Sequence, residues 1–271
     1  MVRVIYLPRK CSASVKYLCL LLLLVSLPVQ ARVITACGHP EYPPVSWINN
    51  NALIGLAPNV ARTIFAELGY QLDIDTSGNW KRCLQEAKAG NIDVVIAAYK
   101  TQPRTAYLAY SSQYLVADRL SILVNRNDKR AYHSLQDLKD KRVGLLLGDS
   151  FGDAFDQFLN ALPEREFVSK GAQNMAKLAY QRIDFMPLGV LSGQLQLHKL
   201  GYQDSVKLTE ITIGTEHYYL ALSKHSGLQK HLPHINQRIL ALHESGAIEK
   251  LLQCFSQYYL DGTKANCHEL P

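Results

Sequence analysis

The sequence predicts an α/β protein of two lobes joined by two crossover strands. Three observations carry that expectation. Apolar runs of strand length alternate with amphipathic stretches of helical period over residues 33–99. The same alternation starts again near residue 134. Two long extended segments, near 115–124 and near 208–222, link the units.

The elements follow in order. RVITACG at 32–38 is an apolar run of strand length, closed by the turn-forming GHPEYPP. LAPNVARTIFAELG repeats Leu56, Val60, Ile64 and Leu68 on one helical face, and Gly69 suits its C-terminal end. QLDID alternates as a strand. NWKRCLQEAKAG is a helix with Asn79 as N-cap and Gly90 as its stop. IDVVIAAY is a continuous apolar run, as buried parallel strands are. In the second half Ser134 and Asp137 open a short helix, SLQDL, in capping-box spacing. RVGLLLG, REFVS and IDFMPLG read as strands, DSFGDAFDQFLNAL and AQNMAKLAYQR as the helices between them. The tail HLPHINQRILALHESGAIEKLLQCFSQYY gives two helices separated by Gly246. The expected lobes are 32–116, then 117–213, with 214–260 returning to the first lobe and 261–271 as a C-terminal tail.

Residues 1–31 read as a secretory signal peptide. Arg3, Arg9, Lys10 and Lys16 precede the apolar run LCLLLLLVSL at 18–27, Pro28 breaks it, and Val29-Gln30-Ala31 supplies small residues for cleavage. A run of about ten residues is half of what a membrane span needs, about 20. The whole chain carries 29 basic and 23 acidic side chains. Four of the basic ones and none of the acids lie in 1–31, which leaves +2 on the remainder. That balance, without any basic run interleaved with aromatics, gives no support for nucleic-acid binding. The expected location is the periplasm.

Four cysteines remain beyond the leader: Cys37, Cys83, Cys254 and Cys267. An even number in an exported chain points to disulfides. Cys254 and Cys267 are expected to close a short C-terminal loop. Cys37 and Cys83 are either a second bridge or two buried thiols in neighbouring elements.

In open α/β sheets ligands sit beyond the carboxyl ends of strands, where helix N-termini also point. That rule selects HPEYPPVSW, the Asn79-Trp80 pair, YKTQPR and GDS, all facing one cleft. Arg104 therefore belongs at the ligand edge. A guanidinium offers a planar fork of donors that matches a carboxylate.

The ordered set CGHPEYPPVSW, GLAPNVARTIFAELG, WKRCLQEAKAGNIDVVIAAY, TQPR followed by YSSQY, KRVGLLLGDSFG and ESGAIEKLLQCF resembles family 3 of the extracellular solute-binding proteins, the amino-acid-binding group. The likeness spans residues 33–258. It implies a type 2, two-lobed periplasmic-binding-protein-like fold that closes on a small ligand without chemistry and delivers it to an ABC-type inner-membrane permease. It implies that Arg104 pairs with a ligand carboxylate, with Thr101 beside it. Tyr42 and Trp80 match the aromatic positions that sandwich the ligand, and Asp149 and Ser150 fall where the second lobe donates hydrogen bonds at a helix N-terminus. Tyr99 completes the candidate set.

The chain departs from the family pattern near the motif. Ala97 and Tyr99 stand where small hydroxyls are common, and Leu188 stands where an acid would hold the ligand's α-ammonium. The expected ligand is a small carboxylate, an amino acid or a relative. A periplasmic sensor and a dehydratase-like enzyme are the other readings, His39, Glu41 and Asp149 being the acid–base candidates. Cys37-Gly38-His39 lacks the paired spacing of a metal site. No cofactor and no metal are expected, and the default state is a monomer.

Overall fold

The computed structural model describes residues 31–262 and Cys267. The chain divides into Met1–Arg32 and Val33–Pro271. Of the first unit only residues 31 and 32 are described, so the expected leader lies outside the described residues except for Ala31. The second unit holds the fold.

Strand β1 (Arg32–Gly38) leads into a small antiparallel sheet of β2 (Glu41–Tyr42), β3 (Ser46–Asn49) and β4 (Ala52–Ile54). Then come helix α1 (Leu56–Glu67), β5 (Tyr70–Ile74), α2 (Trp80–Ala89) and β6 (Val94–Tyr99). A one-turn α3 (Gln102–Thr105), the short β7 (Leu108–Tyr110) and the long β8 (Val116–Asn125) follow. The second half contributes β9 (Val143–Leu146), α4 (Asp153–Asn160), β10 (Arg165–Val168) and α5 (Gly171–Ala179). It continues with β11 (Phe185–Gly189), α6 (Val190–Lys199) and β12 (Val206–Leu208). Strand β13 (Gly214–Ser223) returns, and α7 (Leu232–Glu244) and α8 (Ala247–Asp261) end the described helices.

The main sheet runs β10-β9-β11-β8-β13-β6-β1-β5. Strands β1 and β6 are parallel, as are β9, β10 and β11 where they pair. The centre is antiparallel. Strand β13 pairs with β8 over Gly214–Tyr218 and with β6 over Tyr218–Leu222. Strand β8 in turn carries β11 and β12. These two strands are the crossovers between the lobes, and Tyr218 lies where β13 passes from its pairing with β8 to its pairing with β6.

Local chemistry explains the ends of the elements. The Asn79 side chain accepts the Arg82 backbone N–H at 3.0 Å, and Gly90 turns left-handed at φ 86°, so both caps of α2 are those expected. Helix α1 ends at Glu67, its C-cap is Leu68, and Gly69 supplies the positive φ just beyond. Gly246 separates α7 from α8 with φ 68°. The capping box of Ser134 and Asp137 forms over a 3-10 turn, Leu135–Leu138, rather than an α-helix. One stretch differs from expectation more sharply. HPEYPPVSW is no plain turn but the antiparallel β2–β4 sheet, with a cis bond between Pro43 and Pro44.

Side chains such as Phe65, Ile64, Phe185 and Phe255 are fully buried. Each contributes about 1.5–3 kcal/mol by leaving water. Both cysteine pairs are bridged, Cys37 to Cys83 and Cys254 to Cys267. The first bridge ties β1 to the start of α2. Among the described residues no helix is long and apolar enough to cross a membrane.

Candidate functional site

Arg104 sits in α3, a single turn that Pro103 opens. That turn is capped from the other half of the molecule: the Gln102 N–H donates to both carboxylate oxygens of Asp153, at 3.0 and 3.1 Å. Arg104 is 6% exposed. Its guanidinium donates from Nη1 to the Tyr99 carbonyl at 3.1 Å and from Nη2 to the Gly148 carbonyl at 2.9 Å. Among the described residues no carboxylate forms an ion pair with it. Its Cζ lies 5.6 Å from the centroid of Trp80, a cation–π distance.

Around Arg104 a narrow cavity of about 20 Å³ is lined by Tyr42, Trp80, Tyr99, Asp149 and Ser150, together with His39, Ala97 and Tyr218. Six of the seven candidate residues thus share one space. Thr101 does not line it. It is buried as the residue before α3, and its side chain makes no cap bond.

Asp149 and Ser150 come to the cavity by a different route from the one expected. The helix after β9 begins at Asp153 with Gly152 as its N-cap, so neither residue caps it. They lie in the preceding turn, in part because Gly148 adopts φ 91° and approaches the Lys81 backbone closely. The Ser150 hydroxyl donates to Asp156 rather than into the cavity. Asp149 accepts the His39 Nε2–H at 2.9 Å and the Tyr42 hydroxyl at 3.0 Å. The Glu41 N–H donates to His39 Nδ1 at 3.1 Å, which places the imidazole proton on Nε2. Glu41 itself accepts the Gly171 N–H at the start of α5, and its carbonyl accepts Gln196 Nε2 at 3.0 Å. Burial raises the Glu41 carboxyl above its ordinary range.

Sequence reasoning missed the floor of this site. Asp118, on β8, is 6% exposed and accepts the hydroxyls of Tyr99 at 2.5 Å and Tyr218 at 3.1 Å. Burial pushes its carboxyl up to about 6, against the pull of those two hydrogen bonds. The Tyr99 and Tyr218 rings lie 4.6 Å apart, and burial raises both phenols well above their usual value. The strand period of EHYYLAL held a signal, since Tyr218 and Leu220 share its buried face. Ala97 has φ 60° within β6, a left-handed value rare for a residue with a side chain. Leu188 is 4% exposed and pairs with Ser121 across β11 and β8, so it offers no charge to the cleft. Among the described residues no cluster of three metal-ligating side chains is present.

A family model, bacterial extracellular solute-binding proteins, family 3, matches residues 34–257. Among solved structures, an amino acid ABC transporter substrate-binding protein from Streptococcus pneumoniae, bound to L-arginine, superposes with a TM-score of 0.71 at 18% identity, covering 84% of this chain and 96% of that one. A histidine kinase sensor domain with similarity to periplasmic binding proteins gives 0.71 at 18% identity, covering 86% and 97%. An ancestral amino acid-binding protein, a precursor of cyclohexadienyl dehydratase, gives 0.67 at 20% identity, covering 82% and 94%. No curated protein matches the chain. At these identities the superpositions speak to the fold: two lobes, with β8 and β13 crossing between them.

Proposed function

The chain belongs to family 3 of the bacterial extracellular solute-binding proteins, and from that premise we propose that it captures a small carboxylate-bearing solute by lobe closure. It works in the periplasm, as a monomer, and delivers its ligand to an ABC-type inner-membrane transporter. The lobes are residues 32–116 with 214–260, and residues 117–213. Arg104 holds the ligand carboxylate, Tyr42 and Trp80 pack against the ligand, and Tyr99, Asp149 and Ser150 complete the surround, while Thr101 supports from behind as the buried residue before the turn that carries Arg104.

One observation carries this reading. The buried Arg104 guanidinium spends its two bonds on neutral backbone carbonyls and faces a space shared by both lobes. A buried cation without an anionic partner is costly, and an incoming carboxylate relieves that cost. Ligand contact with both lobes is what shifts such a clamp toward its closed form. The protein acts without chemistry. His39, Glu41 and Asp149 are each committed to hydrogen bonds with the chain, and the Asp118 carboxyl, raised by burial, lies behind two tyrosine hydroxyls.

Calorimetric titration with amino acids and simple carboxylates tests the proposal. Arg104→Ala should lose about 2–5 kcal/mol of binding to any ligand found, the usual loss on truncating a buried charge partner. An unchanged dissociation constant would remove Arg104 from the site.

A further inference from the structure

The Arg104 cavity is the first of three spaces that share walls in series. A second one of about 20 Å³ shares Tyr42 and Asp149 with it. An outer groove of about 500 Å³ shares Glu41 and Gln196 with the second. The partitions are hydrogen bonds: Tyr42 to Asp149 between the inner two, Glu41 to Gly171 and Gln196 to Glu41 between the outer two. Each joins a residue of 39–42 to the half that follows β8, so all of them part when the lobes part.

The middle space contains an unexplained polar group. Asn174, on α5, is 1% exposed and lines it, and neither its Oδ1 nor its Nδ2 has a hydrogen-bond partner. That space is lined by Leu146, Met186 and Leu188, and by Glu41, Asp149 and Gln196, whose polar groups are bonded elsewhere. The amide fits only because Gly144 has no side chain: a Cβ there would lie 2.8 Å from Asn174 Cγ. A buried amide left unpaired costs on the order of 1–3 kcal/mol per group. A ligand amide laid against it satisfies one of the two atoms, donating its N–H to Oδ1 or accepting from Nδ2 at its carbonyl, because a trans amide carries these groups on opposite edges. The outer groove is largely apolar, walled by Pro40, Pro43, Trp47 and Tyr259, with Glu41 and Lys170 as its charged residues. Its volume is that of a small-molecule site.

Resting on the carboxylate reading above, we propose that the ligand is an elongated, amide-bearing carboxylate. Its carboxylate meets Arg104, its secondary amide meets Asn174, and the apolar group on the nitrogen side of that amide lies in the groove of Trp47 and Tyr259. N-acylated amino acids and short peptides share this chemistry. They differ at the far end, where a peptide presents an ammonium to Glu41 and an acyl chain does not.

Three probes separate the cases in calorimetric titrations of the purified chain: L-alanine, N-benzoyl-L-alanine and L-phenylalanyl-L-alanine. At least one amide probe should bind about tenfold or more tighter than L-alanine, the worth of about one satisfied amide. Asn174→Leu should abolish that preference while leaving L-alanine binding within about twofold. Asn174→Ala provides the same comparison if the leucine is not accommodated, and a thermal melt of each variant checks its fold. Glu41→Gln should weaken the dipeptide alone, and tight binding of only the benzoyl probe identifies the acyl form. An amide preference that survives both Asn174 variants overturns the proposal. So does equal binding of L-alanine and the amide probes with Arg104→Ala still deleterious, which leaves the carboxylate reading intact. If none of the three binds at millimolar concentration, both readings fall.

Discussion

The carboxylate of Asp118 occupies the space that a side chain at Gly189 would need: a Cβ on Gly189 would lie 2.1 Å from Asp118 Oδ2. Gly189 ends β11 and follows Leu188, the position at which an acid was sought in the sequence and is missing. An acid is nevertheless beside that strand end. It arrives from the crossover strand β8, one hydroxyl layer behind the cavity wall formed by Tyr99 and Tyr218. The first prediction follows from this packing. Gly189→Ala should destabilise the fold by about 1–3 kcal/mol, the usual cost of overpacking. Because the clash is with one side chain, Asp118→Ala in the same chain should recover part of the loss. Urea unfolding of the two single variants and the double variant measures the coupling. Additive effects would show that the two positions do not touch.

The same carboxyl makes stability depend on pH. Burial holds Asp118 at about 6 in the fold, against an ordinary 3.8. Above pH 6 it is charged in both folded and unfolded states, and the fold carries the whole cost of burying that charge. As pH falls from 6 toward 4 the folded protein binds a proton that the unfolded chain does not yet bind, and the cost is relieved. The interval corresponds to roughly 3 kcal/mol. Asp118→Asn keeps an acceptor for the tyrosine hydroxyls without the charge. It should therefore be more stable than the parent above pH 7, and the gap should shrink toward pH 4. A difference in melting temperature that stays constant from pH 4 to pH 8 would contradict this assignment.

The two disulfides should contribute unequally. Cys37 and Cys83 are 46 residues apart, Cys254 and Cys267 only 13. By loop-closure entropy these bridges are worth about 4 and about 3 kcal/mol. Cys83 is also three residues from Trp80, so the longer bridge ties the aromatic wall of the cavity to β1. Replacing Cys37 and Cys83 together with serine should lower stability more than replacing the other pair. It should also weaken ligand binding, which the C-terminal pair should leave unchanged. Denaturation and titration of both double variants decide the order.

What could be read along the chain was whatever depends on local period and end chemistry. Asn79, Gly90 and Gly246 announce their helix ends because capping is decided within a few residues. Arg104, Trp80 and Tyr42 were legible because strand ends point at the cleft in any open α/β sheet. The β2–β4 hairpins were not, since strands of two to four residues leave almost no alternation, and Pro43-Pro44 reads only as a turn. Asp118 and Tyr218 were hidden for another reason. They lie on strands that looked like connectors, and their meeting with Tyr99 depends on β13 lying between β6 and β8, a pairing with no local signature. Asn174 sat in a helix pattern where one polar residue breaks no rule. Only its lack of a partner makes it stand out.

The last prediction concerns closure. Asp149 accepts from His39, just before β2, and from Tyr42, the last residue of β2, while it lies itself in the turn after β9. Both donors and the acceptor are nearly buried: His39 and Tyr42 are each 4% exposed. Removing the carboxylate leaves an imidazole N–H and a phenol hydroxyl without an acceptor, at about 1–3 kcal/mol each in the closed arrangement. Water supplies both bonds when the lobes part, so the penalty falls on the closed form and not on the lobes themselves. Asp149→Ala should therefore enlarge the radius of gyration seen by small-angle scattering while changing the unfolding midpoint little. Asp149→Asn, which retains one acceptor oxygen, should fall between Asp149→Ala and the parent. A compact Asp149→Ala protein, equal in radius to the parent, would show that these bonds accompany closure without holding it.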